Sequence, residues 1–214
     1  MPARMTSAMA TLLCVDLMLI SFSRFRILIY LLTVQGIMIG AMPFLLRDAP
    51  HSLFGYGLMV LSLGLRGVVF PWLLLVASRK IKLLQQGDCV LPHATAMALG
   101  MGLIMYCVWL GSRLSLPVPP MSSLMLPAAL ATILMGLMLI VTRRHALSQV
   151  LGYVVLENGI SLLGISLHVE EEVLVELGTL LDVFVGVFVM GVMIYHIRQE
   201  FDALDMDQLS ELRE

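Results

Sequence analysis

Seven long apolar stretches take up most of this 214-residue chain and constrain its fold more than any other feature. A helix needs roughly 20 apolar residues to cross the ~30 Å hydrocarbon core of a membrane, and each stretch is close to that length. A mean hydropathy of +0.96 and a content of only 13% charged residues do not fit a soluble globular surface. The stretches lie at about residues 5–22, 27–46, 52–77, 94–110, 121–141, 147–167 and 173–197. We therefore predict an all-α, polytopic membrane protein of about seven transmembrane helices.

Several other classes of protein are disfavoured by the same sequence. The first stretch is interrupted by Asp16 and is not followed by a small-residue cleavage site, so we expect a retained helix rather than a signal peptide. The cysteines Cys14, Cys89 and Cys107 form no CxxC pair, and the five histidines lie near the ends of the predicted spans. We expect neither a metal site nor a bound cofactor nor a disulfide framework. A net charge of −2 without a basic stripe argues against nucleic acid as a partner.

The positive charges predict how the chain is oriented. Lys and Arg near helix ends are retained on the cytoplasmic side of a membrane. One set of span ends carries nine of them, namely Arg24, Arg26, Arg79, Lys80, Lys82, Arg143, Arg144, Arg198 and Arg213. The other set carries three, namely Arg4, Arg47 and Arg113. With seven spans, this asymmetry predicts an outside N-terminus and a cytoplasmic C-terminus in the inner (plasma) membrane.

Four ionisable side chains fall well inside the predicted spans: Asp16 in the first, Arg66 in the third, Glu157 in the sixth and Asp182 in the seventh. A charge at this depth costs at least ~2.5–3.5 kcal/mol, so it is rarely kept without a use. A structural ion pair or a hydrogen-bonded packing contact is the alternative for each. Two acids at similar depth on adjacent helices can also form a relay, and this favours a functional interpretation of Glu157 and Asp182.

The stretch GYVVLENGISLLG, residues 152–164, surrounds Glu157 with groups that support proton exchange. Asn158 and Ser161 are polar neighbours, and the glycines permit water or a close helix approach. Burial disfavours the charged form of a carboxyl group, whereas a nearby Arg favours it, so such a site can be tuned to exchange protons near neutral pH.

Residues 121–214 carry a family resemblance. The segment TRRHALSQVLGYVVLEN, residues 142–158, resembles the start of the second helix of the K subunit of bacterial respiratory complex I. That helix begins with an Arg-Arg-Asn turn and reaches Gly, then Glu, then Asn. The segment LLDVFVG, residues 180–186, resembles the third helix of that subunit, in which an acid is followed four residues later by Gly. The tail at residues 205–213 resembles its short cytoplasmic ending.

The whole chain is more similar to component E of the hydrogenase-4 and formate hydrogenlyase-2 class, which has additional N-terminal helices. In that family a lysine stands at about the place of Arg66 and is followed by a proline like Pro71. Arg differs from Lys because it cannot be neutralised in a protein. Two further departures exist. Val154 takes the place of the complex I glutamate, with Glu157 one helical turn further along, and the second acid is Asp182 rather than Glu.

The resemblance implies a non-catalytic membrane-arm subunit of a nickel-iron hydrogenase complex related to complex I, without a redox centre or cofactor of its own. It implies proton-relay roles for Glu157 and Asp182, with protons or sodium as the coupling ion. Arg66 would tune the charge of a neighbouring acid, and Asp16 would join the relay only through a contact with a partner subunit. The implied partners are other membrane subunits, including antiporter-like ones, a hydrogenase module on the cytoplasmic side, and lipid.

Two other functions remain open. The chain resembles the small C component of multi-subunit cation/proton antiporters as well, although four additional N-terminal helices argue against that assignment. It could also be a structural membrane scaffold whose charges only pair with neighbours. A stand-alone carrier is disfavoured because no inverted repeat is visible.

The division of the chain follows from its prolines. The proline-rich loop at residues 111–120 predicts a four-helix unit at 1–120, a three-helix unit at 121–198 and a cytoplasmic tail at 199–214. Pro71 predicts a kink in the third span, close to Arg66.

Overall fold

In a computed structural model of the chain, the described residues are 2–46, 53–80, 92–114, 123–144 and 146–167, together with Gly186 and Gly191. Every regular element in these ranges is a helix. The helices are α1 (Pro2–Ser21), α2 (Phe25–Leu46), α3 (Leu53–Gly64), α4 (Phe70–Lys80), α5 (His93–Arg113), α6 (Met125–Thr142) and α7 (Ala146–Ser166). A π-helical turn, Leu65–Val69, joins α3 to α4 without a break. The seventh predicted span, with Asp182, lies outside the described residues except for Gly186 and Gly191, which are helical.

The predicted fold class is confirmed as an all-α membrane protein. Four helices, α2, α5, α6 and α7, are long and apolar enough to cross a membrane. The first and third predicted spans contain shorter apolar helical segments, Met5–Ser21 and Val60–Val76. In the described part of the chain the helices begin and end within a few residues of the predicted limits, because apolar length is read directly from the sequence. The count of seven spans and the orientation remain predictions.

Helices α6 and α7 pack closely because glycines lie where their backbones meet. A Cβ atom added at Gly136 of α6 would lie 2.5 Å from the backbone nitrogen of Leu156, and one added at Gly159 of α7 would lie 2.7 Å from that of Ile133. Small residues of this kind let membrane helices gain van der Waals contact where no hydrophobic driving force between them exists. The close approach fixes α7, which carries Glu157 and Asn158, against α6.

Substituting leucine for Gly136 is therefore expected to lower the stability of the protein by about 1–3 kcal/mol, since the added side chain overfills a packed contact. The thermal unfolding midpoint of the detergent-solubilised chain measures this effect. Gly102 is a matched control on α5, because a Cβ added there meets nothing within 4 Å. Equal midpoints for Gly136→Leu and Gly102→Leu would contradict the assigned contact.

Arg143 ties the end of α1 to the turn between α6 and α7. Its Nη2 atom donates hydrogen bonds to the carbonyl oxygens of Phe22 at 2.8 Å and Leu19 at 3.2 Å. The side chain is buried, and its own carbonyl accepts a hydrogen bond from Gln149 Nε2 at 3.0 Å. A cation is favourable at this position because the last carbonyls of a helix carry partial negative charge.

Residues from both predicted units share one hydrophobic cluster. It includes Leu19, Leu28 and Phe70 from the N-terminal side and Met135 and Leu151 from the C-terminal side. The proposed division near residue 120 remains a prediction about chain organisation, since its two sides pack together in the structure.

The third span, in which Pro71 predicts a kink, contains the π-helical turn just before that proline. The N–H of Phe70 donates to the carbonyl of Leu65, which is the wider spacing of a π-helix. Pro71 follows at once and has no N–H to donate. A Cβ atom added at Gly36 of α2 would lie 2.7 Å from the Arg66 carbonyl oxygen, so Gly36 lets the turn lie directly on α2. This contact holds Arg66 inside the bundle.

Helix α5 lies at the edge of the described bundle. Only Ala96, Gly100 and Cys107 of this helix are buried, and they share its inner face. Met105 is 74% exposed and Trp109 is 53% exposed. These outward apolar side chains suit the hydrocarbon of a membrane.

Candidate functional site

Glu157 and Arg66 form an ion pair in the interior of the helix bundle. Arg66 Nη2, in the π-helical turn, lies 2.5 Å from Glu157 Oε1 on α7. The same nitrogen donates to Ser161 Oγ at 2.5 Å, and this hydroxyl lies 3.4 Å from Glu157 Oε1. The Glu157 side chain is 1% exposed and that of Arg66 is 3% exposed. Three of the residues predicted from the sequence therefore meet at one place.

The pair is electrically neutral only while Glu157 is ionised, since the guanidinium stays charged. Burying two charges is expensive, and their attraction offsets that cost only when geometry and further hydrogen bonds are good. Ser161 supplies one such hydrogen bond. Adding a proton to Glu157 changes the local charge from zero to plus one. The pair can therefore respond to charges elsewhere in the membrane.

Asp16 lies in a second polar cluster, formed by α1, α2 and α6. Its Oδ1 accepts a hydrogen bond from Gln35 Nε2 at 2.6 Å, and its Oδ2 lies 2.6 Å from Thr132 Oγ1. The Asp16 side chain is fully buried within this chain. Neighbouring helices of the same chain enclose it, and the expectation that Asp16 joins the relay through contact with a partner subunit stays a prediction.

Asn158 connects the two clusters. Its Nδ2 donates to Gln35 Oε1 at 3.3 Å, and it directly follows Glu157 on α7. We call the connected set the polar network, and its members are Asp16, Gln35, Arg66, Thr132, Glu157, Asn158 and Ser161. Helices α1, α2, α6, α7 and the π-helical turn all contribute to it.

Two members of the network were missed by sequence reasoning. Gln35 lies in the middle of YLLTVQGIMIG, and a buried amide at this depth is a readable signal because it needs hydrogen-bond partners. Thr132 gave no such signal, since a threonine in a membrane helix can satisfy its hydroxyl on its own backbone. Its hydroxyl does lie 2.9 Å from the Ala128 carbonyl oxygen.

The second predicted relay acid, Asp182, is outside the described residues. Gly186, four residues further along, is described, and a Cβ atom added there would lie 3.5 Å from Phe70 Cε1. Within the described ranges, no group of three His, Cys, Asp or Glu residues could hold a metal ion. Cys14 and Cys107 are free thiols.

Comparison with known proteins shows two related similarities. The family model for NADH-ubiquinone/plastoquinone oxidoreductase chain 4L matches residues 124–214. An uncharacterized protein of Mycobacterium tuberculosis is 33% identical over 192 residues, which are 88% of this chain and 86% of that protein. Hydrogenase-4 component E of Escherichia coli and that of Shigella flexneri are each 27% identical over 146 residues, or 68% of either chain. The chain is therefore similar to hydrogenase-4 component E over about two thirds of its length, and the chain 4L match lies in its C-terminal part.

The part of this chain that the chain 4L model matches begins at α6 and includes α7. It therefore contributes Thr132, Glu157, Asn158 and Ser161 to the polar network, whereas Asp16, Gln35 and Arg66 come from the preceding helices. No solved structure matches the chain. The apolar helices and these similarities support a membrane protein that resembles subunits of complex I-related assemblies.

Proposed function

We propose that this protein is a non-catalytic membrane-arm subunit of a nickel-iron hydrogenase complex of the hydrogenase-4 type, in which Glu157 is a carboxyl group of an ion-translocation relay. The observation that carries the proposal is the buried ion pair between Glu157 and Arg66. A mid-membrane acid held against a permanent cation is suited to ion movement, because each change of its protonation changes the net charge of the site.

Electrostatic coupling supplies the mechanism. Two unit charges ~10 Å apart at an effective dielectric constant of ~20 interact by ~1.7 kcal/mol, which changes a protonation equilibrium more than tenfold. Electron transfer in another subunit would shift charge near one end of a chain of buried groups. Glu157 would respond by binding or releasing a proton, and Asp182 is proposed as the next carboxyl group. The coupling ion is a proton or sodium.

Arg66 sets the resting charge of this site. Because Arg remains protonated, it favours an ionised Glu157 at rest, whereas the lysine found at this place in the resembling family can itself lose a proton. Here the titrating member of the pair is the glutamate. Ser161 holds the pair in place through the Arg66 guanidinium.

The proposed partners are the antiporter-like membrane subunits and the hydrogenase module on the cytoplasmic side of the inner membrane. Purification of the tagged full-length chain from its native membrane tests this assignment. Recovery of a nickel-iron subunit supports it. Recovery of cation/proton antiporter subunits in its place would assign the chain to that class.

The function is tested by measuring proton uptake or release by the intact complex during hydrogenase turnover. Wild type is compared with Glu157→Gln and Asp182→Asn after assembly of each variant has been verified. Loss of proton movement per electron transferred supports the relay. Wild-type coupling in an assembled Glu157→Gln complex would show that the buried acid is structural.

A further inference from the structure

Thr132 has one hydroxyl hydrogen and two neighbouring acceptors. Its Oγ1 lies 2.6 Å from Asp16 Oδ2 and 2.9 Å from the Ala128 carbonyl oxygen. Thr33 and Thr142, which also lie inside helices, donate to the carbonyl four residues earlier. When Thr132 does the same, the short contact with Asp16 needs a hydrogen on Asp16 Oδ2. The geometry thus accommodates a protonated Asp16 that donates to Thr132.

The same cluster also accommodates the ionised form of Asp16. Rotation of the Thr132 hydroxyl moves its hydrogen from Ala128 to the carboxylate, which then accepts hydrogen bonds from both Thr132 and Gln35. No helix movement is needed for the change. A buried carboxyl group that keeps its hydrogen bonds in both of its states has the geometry that reversible proton exchange needs.

Neutralising charges are scarce around Asp16 in the described structure. The helices packed against α1 are α2, α5 and α6, and the hydrogen bonds of Asp16 go to Gln35 and Thr132. Arg143 is buried near the end of α1, where it donates to the carbonyl oxygens of Leu19 and Phe22. Besides Asp16, the titratable or charged residues on the described parts of these helices and of the segment after α6 are Arg4, Cys14, Arg26, Tyr30, His93, Tyr106, Cys107, Arg113, Arg143 and Arg144.

The amide groups between the two acids point in one direction. Asn158 donates to Gln35, and Gln35 donates to Asp16. Both amides therefore turn their N–H groups towards Asp16, and this orientation favours negative charge there. The hydrogen-bonded path from Asp16 ends at the residue that follows Glu157.

We propose that Asp16 is a further proton-exchanging carboxyl group of this subunit, besides Glu157 and Asp182, positioned by Gln35 and Thr132 and coupled through Asn158 to the Glu157–Arg66 pair. The inference rests on the proposed function of Glu157. With Arg66 permanently charged, the set of one cation and two acids is neutral when one acid is ionised. Binding of a proton at Glu157 then favours release of the proton from Asp16 Oδ2 to water, while the Thr132 hydroxyl turns to the new carboxylate.

The test measures proton movement per electron in the intact complex with Asp16→Asn, Thr132→Val, Thr132→Ser and Glu157→Gln. A proton-transfer group contributes roughly 10²–10⁴-fold to rate, so Asp16→Asn is expected to lower coupled proton movement on the order of tenfold or more. Thr132→Val keeps the shape but removes the hydroxyl and is expected to lower it as well. Thr132→Ser keeps the hydroxyl and is expected to behave like wild type.

Infrared spectroscopy reports the protonation state of Asp16, which would not change in Glu157→Gln if Asp16 had only a structural role. The carbonyl stretch of protonated Asp16, identified by its loss in Asp16→Asn, is expected to disappear in Glu157→Gln as well, because Asp16 then ionises to balance Arg66. A band that persists in Glu157→Gln overturns the proposed coupling.

The outcomes separate the inference from the proposed function. If Glu157→Gln uncouples the complex while Asp16→Asn and Thr132→Val couple like wild type, the inference is wrong and the proposed function stands. If Glu157→Gln couples normally, the proposed function is wrong, and so is this inference, which rests on it. Should Asp16→Asn not assemble, the two Thr132 variants decide. Loss of coupled proton movement in Thr132→Val but not in Thr132→Ser supports the inference. Normal coupling in both variants overturns it.

Discussion

Replacing Arg66 by glutamine is expected to lower the free energy of unfolding by about 3–5 kcal/mol, because it leaves the buried Glu157 carboxylate without its cation. The ion pair joins the π-helical turn to α7, and Ser161 also loses its donor. Loss of assembled complex, or a lower thermal midpoint for the purified protein, measures the effect. Arg113→Gln is a matched control, since Arg113 is exposed and lies over the Trp109 ring at 5.5 Å.

The double variant Arg66→Gln with Glu157→Gln sharpens this prediction. Removing both charges from a buried pair is often nearly neutral for stability. We therefore expect the double variant to recover most of the stability that Arg66→Gln loses. If the double variant is as unstable as the single one, the loss does not come from an uncompensated carboxylate.

Replacing Glu157 by glutamine is expected to reduce coupled proton movement by roughly 10²-fold or more, because the amide keeps the shape of the side chain but cannot bind and release a proton. Gln can still accept a hydrogen bond from Arg66, which favours assembly. Proton movement per electron, measured in assembled complexes, gives the result. Ser161→Ala is the comparison variant, since it removes a supporting hydroxyl and keeps the carboxylate.

The double variant separates stability from coupling at this site. Arg66→Gln with Glu157→Gln is expected to recover stability while remaining uncoupled, because the titrating group is still missing. Recovery of both properties would mean that the charged pair serves only to hold the helices together.

The sequence was sufficient to locate the helices and the mid-membrane charges, but not to pair them. Glu157 and Arg66 are visible because a charge among apolar residues is costly wherever the helix faces. Their contact depends on helix rotation, and α7 is apolar on nearly every side, so periodicity does not define its inner face. Gln35 could have been recognised by the same argument as the charges. Thr132 became interpretable only when α6 was seen against Asp16.

Backbone geometry was the second feature that the sequence did not predict. Pro71 indicated an irregular third span, but the π-helical turn before it could not be derived, since local preference does not determine which hydrogen-bond spacing replaces the regular one. Gly36 had no special signal either. Its importance comes from the Arg66 carbonyl on another helix.

The π-helical turn also has a consequence for comparing relatives. Such a turn holds one residue more than the α-helical turn it replaces. A relative whose third span is α-helical throughout is one residue shorter there, and its sequence aligns correctly only with a single gap at 65–69. An ungapped alignment would displace every residue on one side of the turn by ~100° around the helix axis. The true counterpart of Arg66 in each relative is therefore found by allowing this gap and asking which basic residue then faces the α7 glutamate.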